Sequence, residues 1–393
     1  MILWHVGLTL FSLLLLLAAI RYAFFAILSR VQPPPVLPPR AAATRFCVLV
    51  PAHNEGANVR ATVEAARRFT YPADRFRVVV LVDNCDDDTA AQARDAGAET
   101  IERRQPEAPG KGQAVAWAIA NHLRPDEALV ICDADSRPAP DYLDWMNRAL
   151  ASGYGAAQGF NGSANPEESG LAALAAVTSG MKNAFHYTGK TAAGLPAPLM
   201  NGLTLAAATW HAHPWRAFSI VEDFETYLNL VAAGVPIRFV PEAKILSPRA
   251  SGFRAASSQK QRWSGGQSKL AREVAWPLAR RGLREWSWAK LSAALDLLAP
   301  GYAPTTAWLL ITAIVGRWSF GPTAHPAVGL ALAGLLLMGG QFVAGLARLR
   351  WTPRLALAVL LAPVYLVWKM ALSLRAFRRA PDRWQRSARP GDE

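Results

Sequence analysis

The sequence predicts an α/β domain with a mostly parallel sheet, set between one N-terminal transmembrane helix and a C-terminal helical membrane bundle. Three observations lead there. Short β-branched runs alternate with helical patterns over residues 46–135, an almost unbroken apolar stretch precedes them, and three more apolar stretches close the chain. Of the 393 residues, 52% are hydrophobic and only 18% are charged, whereas roughly a quarter is usual for a soluble domain. This composition argues against a soluble enzyme with no membrane part, and it excludes a disordered or collagen-like chain.

The first element covers residues 6–28, apolar apart from Arg21 and long enough to cross a hydrocarbon core about 30 Å thick. No positive charge precedes it and no small-residue cleavage pattern follows, so it reads as an anchor and not as a cleaved signal. Arg30, Arg40 and Arg45 follow the run. By the positive-inside rule the N-terminus is then outside and the next domain cytoplasmic. The stretch from Val31 to Pro39 is rich in proline and predicts a stiff, extended spacer.

Phe46 to Glu55 (FCVLVPAHNE) reads as a buried strand that stops at polar residues, with a helix expected from Val59 to Phe69. FRVVVLVDN is a second strand ending at Asp83, and EALVICDAD a third ending at Asp133 and Asp135. Alternating strands and helices imply parallel βαβ units, whose ligands sit beyond the carboxyl ends of the strands. Glu55, Asp83, Asp133 and Asp135 all fall there. In an extended chain the alternation of side chains puts Asp133 and Asp135 on one face, where they can share a hard cation such as Mg²⁺ or Mn²⁺. Gly110-Lys111-Gly112, ahead of an Ala-rich helix, offers an anion the donors of a helix start and one ammonium. It is not a Walker loop, because the earlier glycine and the following Ser or Thr are missing. Asp86, Asp87 and Asp88 lack EF-hand spacing and read as a solvated loop. His211 and His213 (HAH) read as surface or loop residues.

Residues 276–290 mix Trp276, Trp286 and Trp288 with Arg280, Arg281, Arg284 and Lys290, which suits a helix lying in an anionic headgroup layer. Apolar stretches follow at 300–316, 326–347 and 355–374. Arg348, Arg350 and Arg354 call for the loop before the last stretch to be inside, and Arg375, Arg378, Arg379 and Arg383 ask the same of the tail. Both cannot hold if 355–374 crosses fully, so that segment, which carries Pro363 and Lys369, is re-entrant or interfacial, or one rule is broken. Cys47, Cys85 and Cys132 are few and without metal-ligand spacing, which fits a reducing compartment and no disulfide framework.

The ordered elements PAHNE, VDNCDDDT, GKG, DAD, VEDFE (Val221 to Glu225) and QKQRW (Gln259 to Trp263) resemble those of membrane-bound family 2 glycosyltransferases. That family includes the cellulose, chitin and hyaluronan synthases and the ceramide glucosyltransferases. The resemblance covers about residues 45–270. It implies a GT-A fold, a UDP-sugar or other NDP-sugar donor, Mg²⁺ or Mn²⁺, and inversion at the anomeric carbon. By the same resemblance Glu55 and Asp83 hold the nucleoside and Lys111 lies near the nucleotide. Asp133 and Asp135 carry the metal, with Asp133 also on the donor side. Asp223 matches the general base, which takes the proton from an acceptor hydroxyl. Chemically Glu222 or Glu225 could serve as well, and only the motif favours Asp223. Arg262 would pair with diphosphate oxygens, Gln259 shares its helix face, and Trp263 offers an acceptor a flat apolar surface. Gly202, after Asn201, resembles the glycine-containing segment that lines the acceptor site.

The expected organisation is an anchor (1–29), a Pro-rich linker (30–45), a GT-A catalytic domain (46–250), an acceptor-side and interfacial segment (251–299), membrane helices (300–374) and a basic tail (375–393). The expected activity is that of an inverting, metal-dependent hexosyltransferase at the inner face of the plasma membrane. Its acceptor would be an exopolysaccharide or envelope glycan or, alternatively, a single lipid such as a ceramide or polyprenyl phosphate, with membrane lipids and export or polymerisation subunits as further partners. The excess of 42 Lys and Arg over 29 Asp and Glu clusters around membrane segments, so nucleic acid is not needed to explain it. A transporter is disfavoured by the scarcity of ionisable residues within the apolar stretches.

Overall fold

The computed structural model describes residues 2–250, 252–321, 325–347 and 352–378. Its centre is an eight-stranded sheet made of β1 (Arg45–Ala52), β2 (Phe76–Asp83), β3 (Glu99–Arg103), β4 (Glu127–Ile131), β5 (Arg137–Pro138), β6 (Ala156–Ser163), β7 (Leu203–Leu205) and β8 (Ile237–Ser247). The order across the sheet is β3-β2-β1-β4-β7-β6-β8-β5. The first four strands pair in parallel, as do β6 and β8, while β7 runs antiparallel to both of its neighbours and β5 antiparallel to β8.

Side chains that alternate along β1, β2 and β4 build two cores, one on each face of the sheet. Val48, Val50, Val80 and Val130 meet Val59 and Val63 of helix Gly56–Ala66 and Met146 of helix Tyr142–Ala151. Leu49, Leu81, Leu129 and Ile131 meet Val115 of helix Lys111–His122 and Phe224 and Leu228 of helix Glu222–Ala232. Sheet and helices therefore carry all the acidic strand ends to one edge.

The structure corrects several sequence expectations. The first crossover helix starts at Gly56 and ends at Ala66, before the expected Phe69. Residues 99–103 form a strand that the sequence reading lacked, so the strand expected as third is the fourth. β3 is an edge strand in which only Ile101 and Arg103 are buried, so its hydrophobic signal is a single residue. β4 ends at Ile131, and Asp133-Ala134-Asp135 forms a turn closed by Ser136 N–H on the Asp133 carbonyl (3.1 Å). The argument from strand alternation thus does not apply to the two carboxylates, which a turn brings to the edge instead. The basic-aromatic segment is two helices, Trp276–Arg284 and Trp288–Leu298, broken at Trp286, whose φ is 50°. Trp276, Trp286 and Trp288 are 51%, 86% and 72% exposed, so the indoles face outward.

Helices Ile2–Val31 and Pro326–Leu346 are each long and apolar enough to cross a membrane, and Trp288–Leu298 with Tyr302–Phe320, bent by 65°, can count as a third span. The last apolar stretch splits into Pro353–Leu360 and Ala362–Arg378. Tyr365 packs near Leu171 and Leu174, and Trp368 Nε1 donates to Ser257 Oγ (3.0 Å). The segment is therefore broken and docked on helices of the sheet domain. Arg348, Arg350, Arg379 and Arg383, and the side chains of Arg354, Arg375 and Arg378, lie outside the described residues.

The anchor helix is locked to the sheet domain. Gly189 approaches it so closely that a Cβ there would lie 2.1 Å from the Phe25 carbonyl oxygen. Beside this contact the Asp296 carboxylate, 4% exposed, pairs with Arg21 of the anchor and with Lys190. It also accepts from Tyr227 Oη (3.0 Å) and lies 3.3 Å from His186 Nε2. Removing one partner of a buried ion network strands the others without solvent. Asp296→Ala is therefore expected to cost about 3–5 kcal/mol, read as a fall in the midpoint of thermal unfolding in detergent. An unchanged midpoint would show that the network does not hold the anchor.

Candidate active site

Three chain segments converge on Lys111. It opens helix Lys111–His122 next to Gly110, whose φ of 112° favours glycine. Its Nζ lies 2.7 Å from Asp133 Oδ1 in the turn after β4 and 2.8 Å from Glu222 Oε1 at the start of helix Glu222–Ala232. Burial alone would lower the ammonium's pKa, but the charges of Asp133, Glu222 and Asp223 outweigh it and hold Lys111 protonated. Gly112 lets the chain at Ala217 pass close by, since a Cβ there would lie 2.2 Å from the Ala217 carbonyl oxygen.

The Asp133–Asp135 turn is held from behind. Asn201 Oδ1 accepts from the Asp133 N–H (2.8 Å), while Asn201 Nδ2 donates to Ser136 Oγ (2.7 Å) and Ser247 Oγ (2.9 Å). Thr62 Oγ1 donates to the Ala134 carbonyl (2.7 Å). Gly202, expected on the acceptor side, is buried against Tyr142. Its carbonyl accepts from Tyr142 Oη (2.5 Å), and a Cβ would lie 2.5 Å from that oxygen. Among the described residues lining the cavity are Met200 and Asn201 but not Gly202. A close backbone approach accounts for this glycine.

Glu222 and Asp223 are adjacent in sequence but differently placed. Glu222 is buried and paired with Lys111; Asp223 is half-buried and accepts from the Phe224 N–H (2.7 Å). Burial first and the neighbouring Glu222 charge second push the Asp223 carboxyl up to about 7, against the pull of Lys111. Asp83, at the end of β2, is paired with Arg103 Nη1 (2.5 Å) from β3. Burial raises its carboxyl and Arg103 opposes the rise. Glu55 follows β1, its N–H donating to Thr89 Oγ1 (2.8 Å). Asp86, Asp87 and Asp88 are exposed, as expected, and so are His211 and His213.

Glu55, Asp83, Lys111, Asp133, Asp135, Glu222 and Asp223 line one cavity of about 2940 Å³. It extends past Trp263 to Tyr302, Trp308 and Gln341 on the apolar helices. Trp263, 36% exposed, lies on helix Phe253–Leu270 and is among the residues that line this space. The side chains of Gln259 and Arg262 on that helix lie outside the described residues. Two groups went unread in the sequence. Arg103 belongs to the unrecognised strand β3. Arg249, just past β8, bonds Asn161 Oδ1 and the Gly162 carbonyl (both 3.3 Å) near enough to feel the charges of Asp135 and Asp133.

The sequence model of the family described as "Glycosyltransferase like family 2" matches residues 43–266, more than half of the chain. The chain belongs to this family. Two Arabidopsis thaliana proteins are similar to this glycosyltransferase. Probable glucomannan 4-beta-mannosyltransferase 15 is 25% identical over 58% of the chain and 45% of its own length. Probable glucomannan 4-beta-mannosyltransferase 11 is 25% identical over 62% of the chain and 58% of its own length. The glycosyltransferase thus spans about half the length of these curated relatives. Among solved structures, the Pyrobaculum calidifontis mannosyltransferase PcManGT, in complex with GDP-Man and Mn²⁺, superposes with a TM-score of 0.56 at 18% identity. The superposition covers 93% of this chain and 99% of that one. The likeness shows a shared GT-A fold.

The state of Asp223 is open to a stability measurement. Its carboxyl rises from 3.8 to about 7 on folding, so between those values the folded state holds a proton that the unfolded state has lost. The group's favourable contribution is then complete below about pH 4 and disappears as pH rises through about 7. Asp223→Asn should therefore unfold at a higher temperature than the parent at about pH 8, with the gap closing toward about pH 4. A gap that widens on acidification would contradict the shift.

Proposed function

We propose that this glycosyltransferase moves a mannosyl group from GDP-mannose to a glycan acceptor lodged in the cavity, with inversion, at the cytoplasmic face of a membrane. The carrying observation is the cavity itself, in which the acidic strand-end site and residues of the apolar helices line one space. The family resemblance implies a UDP-sugar or other NDP-sugar donor. Among these, the mannosyltransferase names of the relatives and of PcManGT favour GDP-mannose.

Asp133 and Asp135 would hold Mg²⁺ or Mn²⁺. Among the described residues no group of three His, Cys, Asp or Glu forms a ready-made cation cage. A cation of this type takes one or two carboxylates and completes its shell with water and phosphate oxygens. When bound, it neutralises the diphosphate and improves it as a leaving group. Lys111 would stand on the donor side with Asp83 and Glu55, with Arg262 reaching the diphosphate and Gln259 and Trp263 the acceptor.

Asp223 would accept the proton of the attacking hydroxyl. Two facts support it over Glu222: Glu222 is engaged by Lys111, and the Asp223 carboxyl, pushed up to about 7, is matched to proton transfer near neutral pH. Attack on the anomeric carbon by the hydroxyl so deprotonated, with the nucleoside diphosphate leaving from the opposite face, inverts that centre. A second reading, one sugar given to a lipid, is supported by the cavity's reach to Trp308 and Gln341. Orientation rests on the positive charges that follow the anchor.

Purified protein in nanodiscs, offered labelled GDP-mannose or UDP-glucose with manno-oligosaccharides, tests the reading. Transfer from GDP-mannose should stop in excess chelator and return with Mn²⁺ or Mg²⁺. Full turnover in chelator would refute the metal's role, and turnover of UDP-glucose alone would refute the donor. Trp263→Ala should raise the acceptor KM about tenfold or more, the loss of one stacking face, while nucleotide binding holds.

A further inference from the structure

The chain that leads into helix Glu222–Ala232 is held between two other elements. On one side it crosses the start of helix Lys111–His122, where a Cβ on Gly112 would lie 2.2 Å from the Ala217 carbonyl oxygen and 3.1 Å from Phe218 Cα. On the other it meets helix Phe253–Leu270, where a Cβ on Gly266 would lie 3.3 Å from Val221 Cγ2 and 3.5 Å from Ile220 Cβ. Both glycines thus make room for residues 217–221. The Ser219 N–H donates to Glu225 Oε2 (2.9 Å) and Trp215 Nε1 donates to the Ala217 carbonyl (3.0 Å), which fixes the segment further. Asp223 follows directly on this segment, and Trp263 precedes Gly266 on its own helix.

The segment brings an aromatic ring to the cavity. Phe218 and Trp263 line it with exposures of 51% and 36%, and the other aromatic side chains that line it, among the described residues, are less exposed. A single exposed apolar side chain on an outer surface needs no explanation. Phe218 stands instead on a cavity wall that also carries Lys111, Glu222 and Asp223, on backbone that is pinned from both sides. Ser219, the next residue, lines the same cavity, and its Oγ is buried without a hydrogen-bond partner among the described residues. A buried hydroxyl of this kind calls for a partner from a ligand or solvent.

We infer that Phe218 is a second aromatic platform of the acceptor site, packing on the C–H face of the terminal sugar of a neutral glycan whose attacking hydroxyl meets Asp223. The inference rests on the glycosyl-transfer reading above and adds a binding residue and the chemical class of the acceptor's reacting end.

A hexose has the two kinds of surface that this wall requires. Its C–H groups form an apolar face, which the negative π face of an aromatic ring attracts, and its hydroxyls stand around the rim. One sugar can therefore stack on Phe218 while its rim reaches polar groups such as Ser219 and Asp223. A lipid alcohol brings no ring to this point. A neutral ring also adds no charge beside Glu222 and Asp223, where an anionic acceptor would meet like charges. Because the segment packs on the helix that carries Trp263, the two exposed rings belong to touching elements and can serve one glycan.

The full chain in nanodiscs tests this with mannotetraose as the probe. Its binding is followed by calorimetry in the presence of GDP and Mn²⁺, so the result does not depend on turnover, and GDP-mannose binding is measured on the same samples. Phe218→Ala should weaken mannotetraose binding about fivefold or more and leave GDP-mannose affinity within about twofold, the loss of one aromatic face with the donor contacts intact. The retained donor binding shows that the variant is folded. Phe218→Trp, which keeps a flat face, should bind mannotetraose as the parent does, whereas Phe218→Leu, apolar without a flat face, should share most of the loss. Unchanged mannotetraose binding in Phe218→Ala, parent-like binding in Phe218→Leu, or a parent that binds no mannotetraose would overturn the platform. A loss of GDP-mannose affinity with mannotetraose binding retained would put the ring against the donor and overturn the acceptor assignment. The expected binding pattern without transfer from GDP-mannose to mannotetraose would sink the transfer reading alone.

Discussion

The bridge from Lys111 to Asp133 and Glu222 is the constraint on which the site depends. Three carboxylates, Asp133, Glu222 and Asp223, face one another across a partly buried edge, and without a cation among them they could not all stay ionised. Lys111 supplies that cation at 2.7 and 2.8 Å. It is placed by a glycine whose φ suits no other residue and by a neighbouring glycine that lets the Ala217 segment close over it. The bridge also divides labour: it engages Asp133 and Glu222, while Asp223 faces the cavity with its proton affinity raised.

A second network keeps this edge in register with the apolar helices. Asp296 gathers Arg21, Lys190, His186 and Tyr227 into one buried group, so anchor, sheet domain and the bent helix pair meet at a single carboxylate. Such networks are costly to desolvate and costly to break, which favours one docking geometry over sliding alternatives. The continuous cavity follows from that geometry. Its acidic end belongs to the sheet and its other end to helices docked against it.

Much of the fold was legible because its signals are local. Val48, Val50, Val78 and Val80 announce buried parallel strands, and residues 6–28 announce a membrane helix by length alone. Motif order identified the acidic strand ends and Lys111. What stayed hidden depends on contacts between distant segments. β3 carries a single buried apolar side chain, so Arg103 and its pairing with Asp83 had no pattern to reveal them. The Asp133–Asp135 turn resembles a strand end in sequence because Cys132 and Ala134 are small and buried on either side of Asp133. Gly202 shared a motif with acceptor-site glycines, yet its need is room for the Tyr142 hydroxyl.

Turnover of Asp223→Asn and Glu222→Gln, each paired with calorimetric binding of GDP-mannose, bears most directly on the division of labour set by Lys111. With Asp223 as base, Asp223→Asn loses about a hundred- to ten-thousandfold in turnover and keeps its donor affinity. Glu222→Gln, by loosening Lys111 from one of its two partners, weakens donor binding more than it slows bound donor. The reverse pattern, with Glu222→Gln binding donor normally but inert and Asp223→Asn active, would contradict the assignment and make Glu222 the base.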